Sequence, residues 1–235
     1  MDPHRLSAQR WRHILGSEWV GQQSFIGACE LADVLRPRGG LRVLDAGSGD
    51  GAFGCWLYSR WDCGVWGFDP LIDEEMRLPG VKLRRGSIDD PPWGKGDDFD
   101  ALISLDALQY SASPGASLDG LLRLVSDPAA PVMVSAWATR SREVADRWGF
   151  EPLVSQQLGE VVHEHGVSIR ESPHFAGRIS RQLESLQRWA TEYVEAWGRE
   201  EYDRRLDLES LTRLAVDRGE LVQLIVSRRT VEPAQ

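Results

Sequence analysis

Lysine is nearly missing from this 235-residue chain: Lys82 and Lys95 are the only two among 27 basic residues, set against 36 acidic ones. The formal net charge is -9 and the pI about 5.1. Lys and Arg form no run, and tight binding to DNA or RNA needs a basic footprint, so no nucleic-acid partner is expected. Cysteine is scarce too. Cys29, Cys55 and Cys63 are an odd set without metal-ligand spacing, which argues against a disulfide framework or a metal site and suits reduced thiols in a cytoplasmic protein. No apolar run reaches 18 residues, and the first fifteen residues carry charges and Pro3 but no apolar signal core, so no membrane association is expected. What remains is ordinary for a globular protein, with 42% hydrophobic and 27% charged residues. The length suits one domain with a lid. The preference for arginine over lysine points to a GC-rich bacterial genome.

Residues 41–56, LRVLDAGSGDGAFGCW, organise the rest. Leu41, Val43 and Leu44 make a short apolar strand with Asp45 at its carboxyl end. Gly47, Gly49 and Gly51 then alternate, with Ser48 between the first two, and Ala52, Phe53, Cys55, Trp56 and Leu57 recur at helical spacing. A glycine-rich strand-to-helix turn lets backbone approach a ligand closely. Gly47-x-Gly49-x-x-Ala52 also fits the loose dinucleotide fingerprint. Asp45 separates the two readings, because a pyrophosphate would be repelled by a carboxylate there, whereas a ligand carrying an amine and a sulfonium would not. The stretch resembles motif I of class I S-adenosylmethionine-dependent methyltransferases, of the bacterial small-molecule kind that acts on natural products, ubiquinone precursors and sterols.

That resemblance implies an α/β fold, a Rossmann-like seven-stranded sheet with an N-terminal helical cap and a helical lid inserted before the last strand. It divides the chain into a cap (1–40), a core binding S-adenosylmethionine (41–154), an acceptor-binding lid (155–220) and the last strand with its tail (221–235). Two helices are expected within 5–35, and Ser24 at the start of the second resembles the residue that approaches the cofactor carboxylate in relatives; a plain N-cap explains it as well. The second strand, 64–68, ends at Asp69, where an acid would bind a ribose diol. A third strand, 81–85, leads into Ser87, Ile88 and Asp89. The family has an acid where Ser87 stands, so adenine recognition is expected of the Ile88 backbone and the Asp89 carboxylate. A fourth strand, 99–104, is a nearly continuous apolar run, and Leu105 after it would offer its carbonyl to the methionine amine. Tyr110 stands where many relatives carry a histidine. A fifth strand is expected at 132–137, a sixth beginning near 149–154, and a last at 221–226.

Asp90-Pro91-Pro92-Trp93 matches the signature of N6-adenine nucleic-acid methyltransferases, in which the acid accepts the target amine and the aromatic stacks on a flipped base. In those enzymes the motif ends the fourth strand; here it follows the third. Between the last two strands, Ile179, Leu183, Leu186, Ala190, Tyr193, Val194 and Trp197 suggest one amphipathic helix, and Leu208, Leu211, Leu214 and Ala215 a second. Upstream, His163 and His165 sit in loop-like sequence, where alternation on a strand end would put both on one face; they are candidate general bases, with Tyr110 the third candidate catalytic group, though each histidine taken singly also reads as a plain surface residue. His-x-His lacks a third ligand at convincing spacing, so no metal is expected.

The sequence thus points to a cytoplasmic enzyme that transfers a methyl group from S-adenosylmethionine, leaving S-adenosylhomocysteine, to an O, N or C atom of a small-molecule acceptor in bacterial secondary metabolism, antibiotic biosynthesis included. A homodimer is compatible with it. The alternatives are a non-methylating cyclase or an accessory subunit of the same fold and, less favoured, the N6-adenine nucleic-acid methyltransferase that Asp90-Pro91-Pro92-Trp93 suggests.

Overall fold

A computed structural model describes residues 39–73, 75–94, 98–125, 127–150, 152–153 and 155–228. The helical cap expected within 1–40 therefore lies almost wholly outside the described residues, and Ser24 with it.

Strand β1 (Arg42–Ala46) runs into the glycine turn and helix α1 (Ala52–Trp61). Strands β2 (Gly64–Asp69), β3 (Met76–Leu78), β4 (Val81–Arg85) and β5 (Ala101–Leu105) follow, then helix α2 (Pro114–Leu122), strand β6 (Val132–Thr139) and helix α3 (Arg142–Trp148). Helix α4 (Gly159–Glu164) precedes strand β7 (Ser168–Glu171). Helices α5 (Phe175–Arg188), α6 (Ala190–Trp197) and α7 (Arg199–Asp217) lead to strand β8 (Leu221–Arg228). The sheet order is β3-β4-β2-β1-β5-β6-β8-β7. Five neighbouring strands, β4 to β6, are mutually parallel, while β8 runs antiparallel to both β6 and β7.

Without β3 this is the seven-stranded arrangement that the sequence led us to expect. The eighth strand, β3, adds antiparallel to the outer edge of β4, pairing Met76 with Leu83 and Leu78 with Val81. The sixth strand of the seven does not begin at Gly149 and Phe150, and of the stretch expected to open it Glu151 and Val154 lie outside the described residues. Gly149 closes α3 with φ 74°, the Phe150 N–H caps Ala145 at 3.1 Å, and Phe150 turns inward; the strand is β7, Ser168–Glu171. An edge strand reading Ser-Ile-Arg-Glu, largely exposed, has no apolar signature. It lies within the stretch read as lid, so the helices that follow it begin at Phe175. The single amphipathic helix expected across 179–197 is two, α5 and α6, parted at Trp189.

Strand alternation sorts the core into two faces. Leu44, Ala46, Leu102, Val132 and Val134 meet Leu118, Leu121 and Leu122 of α2 and Val162 of α4. Val43, Ala101, Ile103 and Met133 meet Phe53 and Leu57 of α1 on the other. All eight residues of β6 are buried, as a strand flanked by β5 and β8 and covered on both faces requires. On the α1 face, near the carboxyl end of β6, Trp137 and Leu221 pack beneath α3, α5 and α7 through Val144, Ala145, Phe175, Ile179 and Ala215. A separate aromatic knot of Tyr193 and Tyr202, with Trp189 and Trp197 against it, joins α5, α6 and α7 farther out. Among the described residues no helix is long and apolar enough to cross a membrane.

Candidate active site

The glycine turn sits at the carboxyl ends of parallel strands, where a doubly wound sheet opens a crevice. Gly47 adopts φ 77° and Gly49 φ 56°, a region costly for side chains. Their reasons differ. A Cβ on Gly47 would lie 2.3 Å from the Ala107 Cβ, so the loop after β5 is pressed against it, whereas a Cβ on Gly49 would meet nothing within 4 Å. Gly47 is needed by the fold, and Gly49 faces open space. Gly51 caps α1.

The N–H groups of Gly47 and Ser48 both donate to the Phe68 carbonyl at 2.9 Å, stitching the turn to β2. Asp69, the last residue of β2, accepts the Gly49 N–H on Oδ2 at 3.0 Å and the Leu71 N–H on Oδ1 at 2.9 Å. Burial raises its carboxyl above the usual range, the Leu71 and Gly49 N–H groups pull the other way, and Asp50 nearby raises it further.

Asp45 is 2% exposed, and its Oδ2 is buried without a hydrogen-bond partner, as is the Ser48 hydroxyl. Burial, assisted by the negative Asp69, pushes the Asp45 carboxyl up to about 7. An orphaned carboxylate oxygen and an orphaned hydroxyl beside an open glycine backbone are what a crevice built for a polar ligand would leave. These atoms fit a ligand with hydroxyl and cationic amine groups.

The turn after β4 is turned inward. The Ser87 hydroxyl accepts the Asp90 N–H at 3.1 Å, and Ile88 is buried. Asp89 is committed within the protein: Oδ1 accepts the hydroxyls of Ser111 and Ser117 at 2.5 and 2.6 Å, and Oδ2 the Ala112 N–H at 3.0 Å. Desolvation raises its carboxyl, but these hydrogen bonds outweigh it and hold the group below its ordinary value. Asp89 therefore anchors the loop after β5, which restricts it as an adenine ligand.

Leu105 ends β5, and Asp106 follows with φ 52° in the left-handed region. Tyr110, 49% exposed, packs edge-on against Phe150 with ring centres 6.0 Å apart. The two rings, with Asp89, Ser111, Ala112, Asp146 and Gly149, line a cleft of about 400 Å³ beside the turn after β4.

His163 and His165 do not join this site. His165 caps α4, a helix where loop-like sequence was expected, and its Nε2 lies 2.7 Å from Asp119 Oδ1. Its carbonyl accepts from Arg228, which pairs with Val132 at the start of β6. That is the amino-terminal end of the parallel strands, opposite the glycine turn. His163 is exposed on α4. Among the described residues no group of three or more His, Cys, Asp or Glu could hold a metal ion.

Trp93 of the Asp-Pro-Pro-Trp stretch is 6% exposed, set edge-on to Phe99 at 6.1 Å beneath the Arg84 guanidinium at 4.2 Å. A ring packed so cannot stack on a base.

The sequence reading missed Asp106 and Arg178. Asp106 Oδ1 accepts from Ser135 and Gln223 at 2.8 Å each, and Oδ2 from the Trp137 indole at 3.1 Å; Arg178 of α5 pairs with Oδ2 at 3.3 Å. Phe175, Arg178, Ile179, Gln182 and Leu186 are the buried face of α5, so a charged residue at a core-facing helical position was the signal available.

No protein-family model matches the chain, and no curated protein matches it in sequence. Solved structures do match. Phosphoethanolamine N-methyltransferase 2 of Haemonchus contortus, in complex with S-adenosyl-L-methionine, superposes with a TM-score of 0.80 at 13% identity over 94% of this chain and 56% of its own. This chain thus spans little more than half of that protein. A candidate sarcosine dimethylglycine methyltransferase from Galdieria sulphuraria gives 0.76 at 14% identity over 98% of both chains. The 4+2 cyclase SpnF gives 0.65 at 16% identity, covering 92% of this chain and 86% of its own. At these identities the likeness establishes the fold, that of class I methyltransferases.

Proposed function

We propose that this chain, built on the class I methyltransferase fold, binds S-adenosylmethionine in the crevice above β1, β2 and β5 and methylates a small molecule. The observation that carries the reading is the pair of orphaned buried atoms, Asp45 Oδ2 and Ser48 Oγ, beside a Gly49 backbone that nothing obstructs. Asp69 holds the ribose diol, since each of its oxygens has a lone pair left after its backbone hydrogen bond. Leu105 offers its carbonyl to the amine, and the turn at Ser87 and Ile88 borders the adenine.

When bound, the cofactor supplies a methyl group already activated on sulfonium. The protein then has to hold two reactants in line and exclude water. The α5–α7 helices, seated on the α1 face by Trp137 and Leu221, form the lid, and the cleft at Tyr110 and Phe150 receives the acceptor. With His165 held at the far end of the sheet and His163 exposed on α4, Tyr110 is the one candidate catalytic group left beside the donor. The acidic charge, with no basic run, favours a small acceptor over nucleic acid. We assign that acceptor to bacterial secondary metabolism, in keeping with the arginine bias.

Calorimetric titration with S-adenosylmethionine tests the reading. We expect micromolar binding, weakened at least tenfold by Asp69→Ala; no binding at millimolar ligand, or an unchanged affinity in the variant, refutes it. Transfer of a labelled methyl group across acceptor panels separates a methyltransferase from a cyclase of the same fold, which would hold the cofactor without consuming it.

A further inference from the structure

Arg178 is 4% exposed on α5, and its guanidinium meets a carboxylate that belongs to the opposite part of the molecule. Asp106 is the residue after β5, on the loop that borders the donor crevice. Its backbone is left-handed, φ 52°, a conformation an L residue other than glycine adopts at a cost. Both of its carboxylate oxygens are engaged. Ser135 and Gln223 donate to Oδ1, while the Trp137 indole N–H and Arg178 share Oδ2. Its own N–H donates to the Ser135 carbonyl at 2.9 Å, and its carbonyl accepts the Gln109 amide at 2.8 Å. Three of the four side chains on the carboxylate come from β6 and β8, which are fixed parts of the sheet. Arg178 alone comes from a lid helix.

The next residue carries the link onward. Ala107 is so close to Gly47 that its Cβ would lie 2.3 Å from any Cβ placed there. A line of direct contact therefore runs from α5 through Arg178, Asp106 and Ala107 to the first glycine of the donor turn. Leu105, with the carbonyl assigned to the donor amine, is the residue before Asp106.

We propose that Arg178 is a positioning residue: by neutralising and orienting the Asp106 carboxylate it fixes the left-handed turn that sets the Leu105 carbonyl and the Ala107–Gly47 contact. Docking of the lid helix and affinity for the donor are thereby one equilibrium. The ion pair suits this task because both partners are almost fully buried, 4% and 3% exposed at the side chain. Loss of one charge strands the other in a low-dielectric interior, so the pair holds as a unit. By linkage, a donor that favours the ordered turn favours the docked lid by the same factor.

The inference rests on the donor reading above, and its test keeps the two apart. Donor affinity is measured by calorimetry for the wild type, Arg178→Met, Arg178→Lys and Trp137→Phe, each confirmed folded by a cooperative melt. The wild type should bind S-adenosylmethionine, Arg178→Met should bind at least tenfold more weakly, and Arg178→Lys should recover part of the loss. Trp137→Phe keeps an aromatic ring in place, removes the indole donor to Oδ2 and leaves a smaller ring against Trp148 and Phe175, and should cost about threefold. It also serves if Arg178→Met fails to fold. A folded Arg178→Met that melts lower yet binds the donor with wild-type affinity overturns the proposal, as does an unchanged affinity in Trp137→Phe. A wild type that does not bind the donor overturns the parent reading and this one with it.

Discussion

The Asp69 carboxylate, at the end of β2, accepts the Gly49 N–H at 3.0 Å, so the donor turn after β1 is held by the very residue assigned to the ribose. The same carboxylate raises the Asp45 carboxyl beyond what burial does alone.

Asp45 should make both stability and donor affinity depend on pH. Its folded value is about 7 against 3.8 for the free side chain. The folded protein thus holds the proton more tightly than the unfolded chain. Stability from this group is full below pH 3.8 and is lost as pH rises through about 7. Between those limits the ligand-free protein should lose on the order of 2–4 kcal/mol. A cationic donor reverses the preference, so its affinity should rise with pH over the same window, with proton release on binding. Calorimetry in buffers of different ionisation enthalpy reads the proton count; Asp45→Asn should abolish it. A flat profile in the wild type would contradict the assignment.

The two glycines should separate fold from binding. Gly47→Ala forces a Cβ into Ala107 as well as into left-handed backbone, and should cost about 3 kcal/mol or more in denaturant melts. Gly49→Ala meets nothing, so about 1 kcal/mol of backbone strain is expected, with donor affinity falling at least tenfold. Equal effects of the two substitutions on stability would sink this distinction.

His165→Ala and His163→Ala should leave methyl transfer within twofold of wild type. His165 pairs with Asp119 at the amino-terminal end of the parallel strands, and removing it should cost about 1 kcal/mol or less of stability. A hundredfold drop in kcat for either variant would place a histidine at the reaction after all.

Trp93→Ala should destabilise the chain by about 3–5 kcal/mol, since it empties a site packed against Phe99 and Arg84. Trp93→Phe should recover most of that. Neither variant is expected to reveal transfer to DNA or RNA oligonucleotides, and label transferred to adenine by the wild type would revive the nucleic-acid reading.

The strand–turn–helix geometry of the proposed donor half was legible because it is written locally. Asp45, the alternating glycines and Asp69 follow one another within a strand–helix–strand unit, and each position is dictated by backbone geometry that leaves a mark on residue type. The buried parallel strands announced themselves as apolar runs. Three features stayed hidden for physical reasons. β7 is a largely exposed edge strand, free of the burial that writes an apolar pattern, and β3, though Met76 and Leu78 pack on the core, is only three residues long and too short to read. His163 and His165 have the residue type of a base, but only tertiary structure leaves the one exposed on α4 and the other at the wrong end of the sheet. Asp106 and Arg178 acquire meaning from each other, across a span of chain that no local pattern connects.

The short edge strands have a consequence for how copies of this chain can meet. One margin of the sheet is the three-residue β3, with Arg77 at its centre; the other is the four-residue β7, with Arg170 and Glu171. Strands so short and so charged give an incoming strand few backbone groups to bind and a desolvation penalty for doing so. Among the described residues, growth by sheet extension is thereby disfavoured at both margins, which leaves helix surfaces as the better ground for self-association.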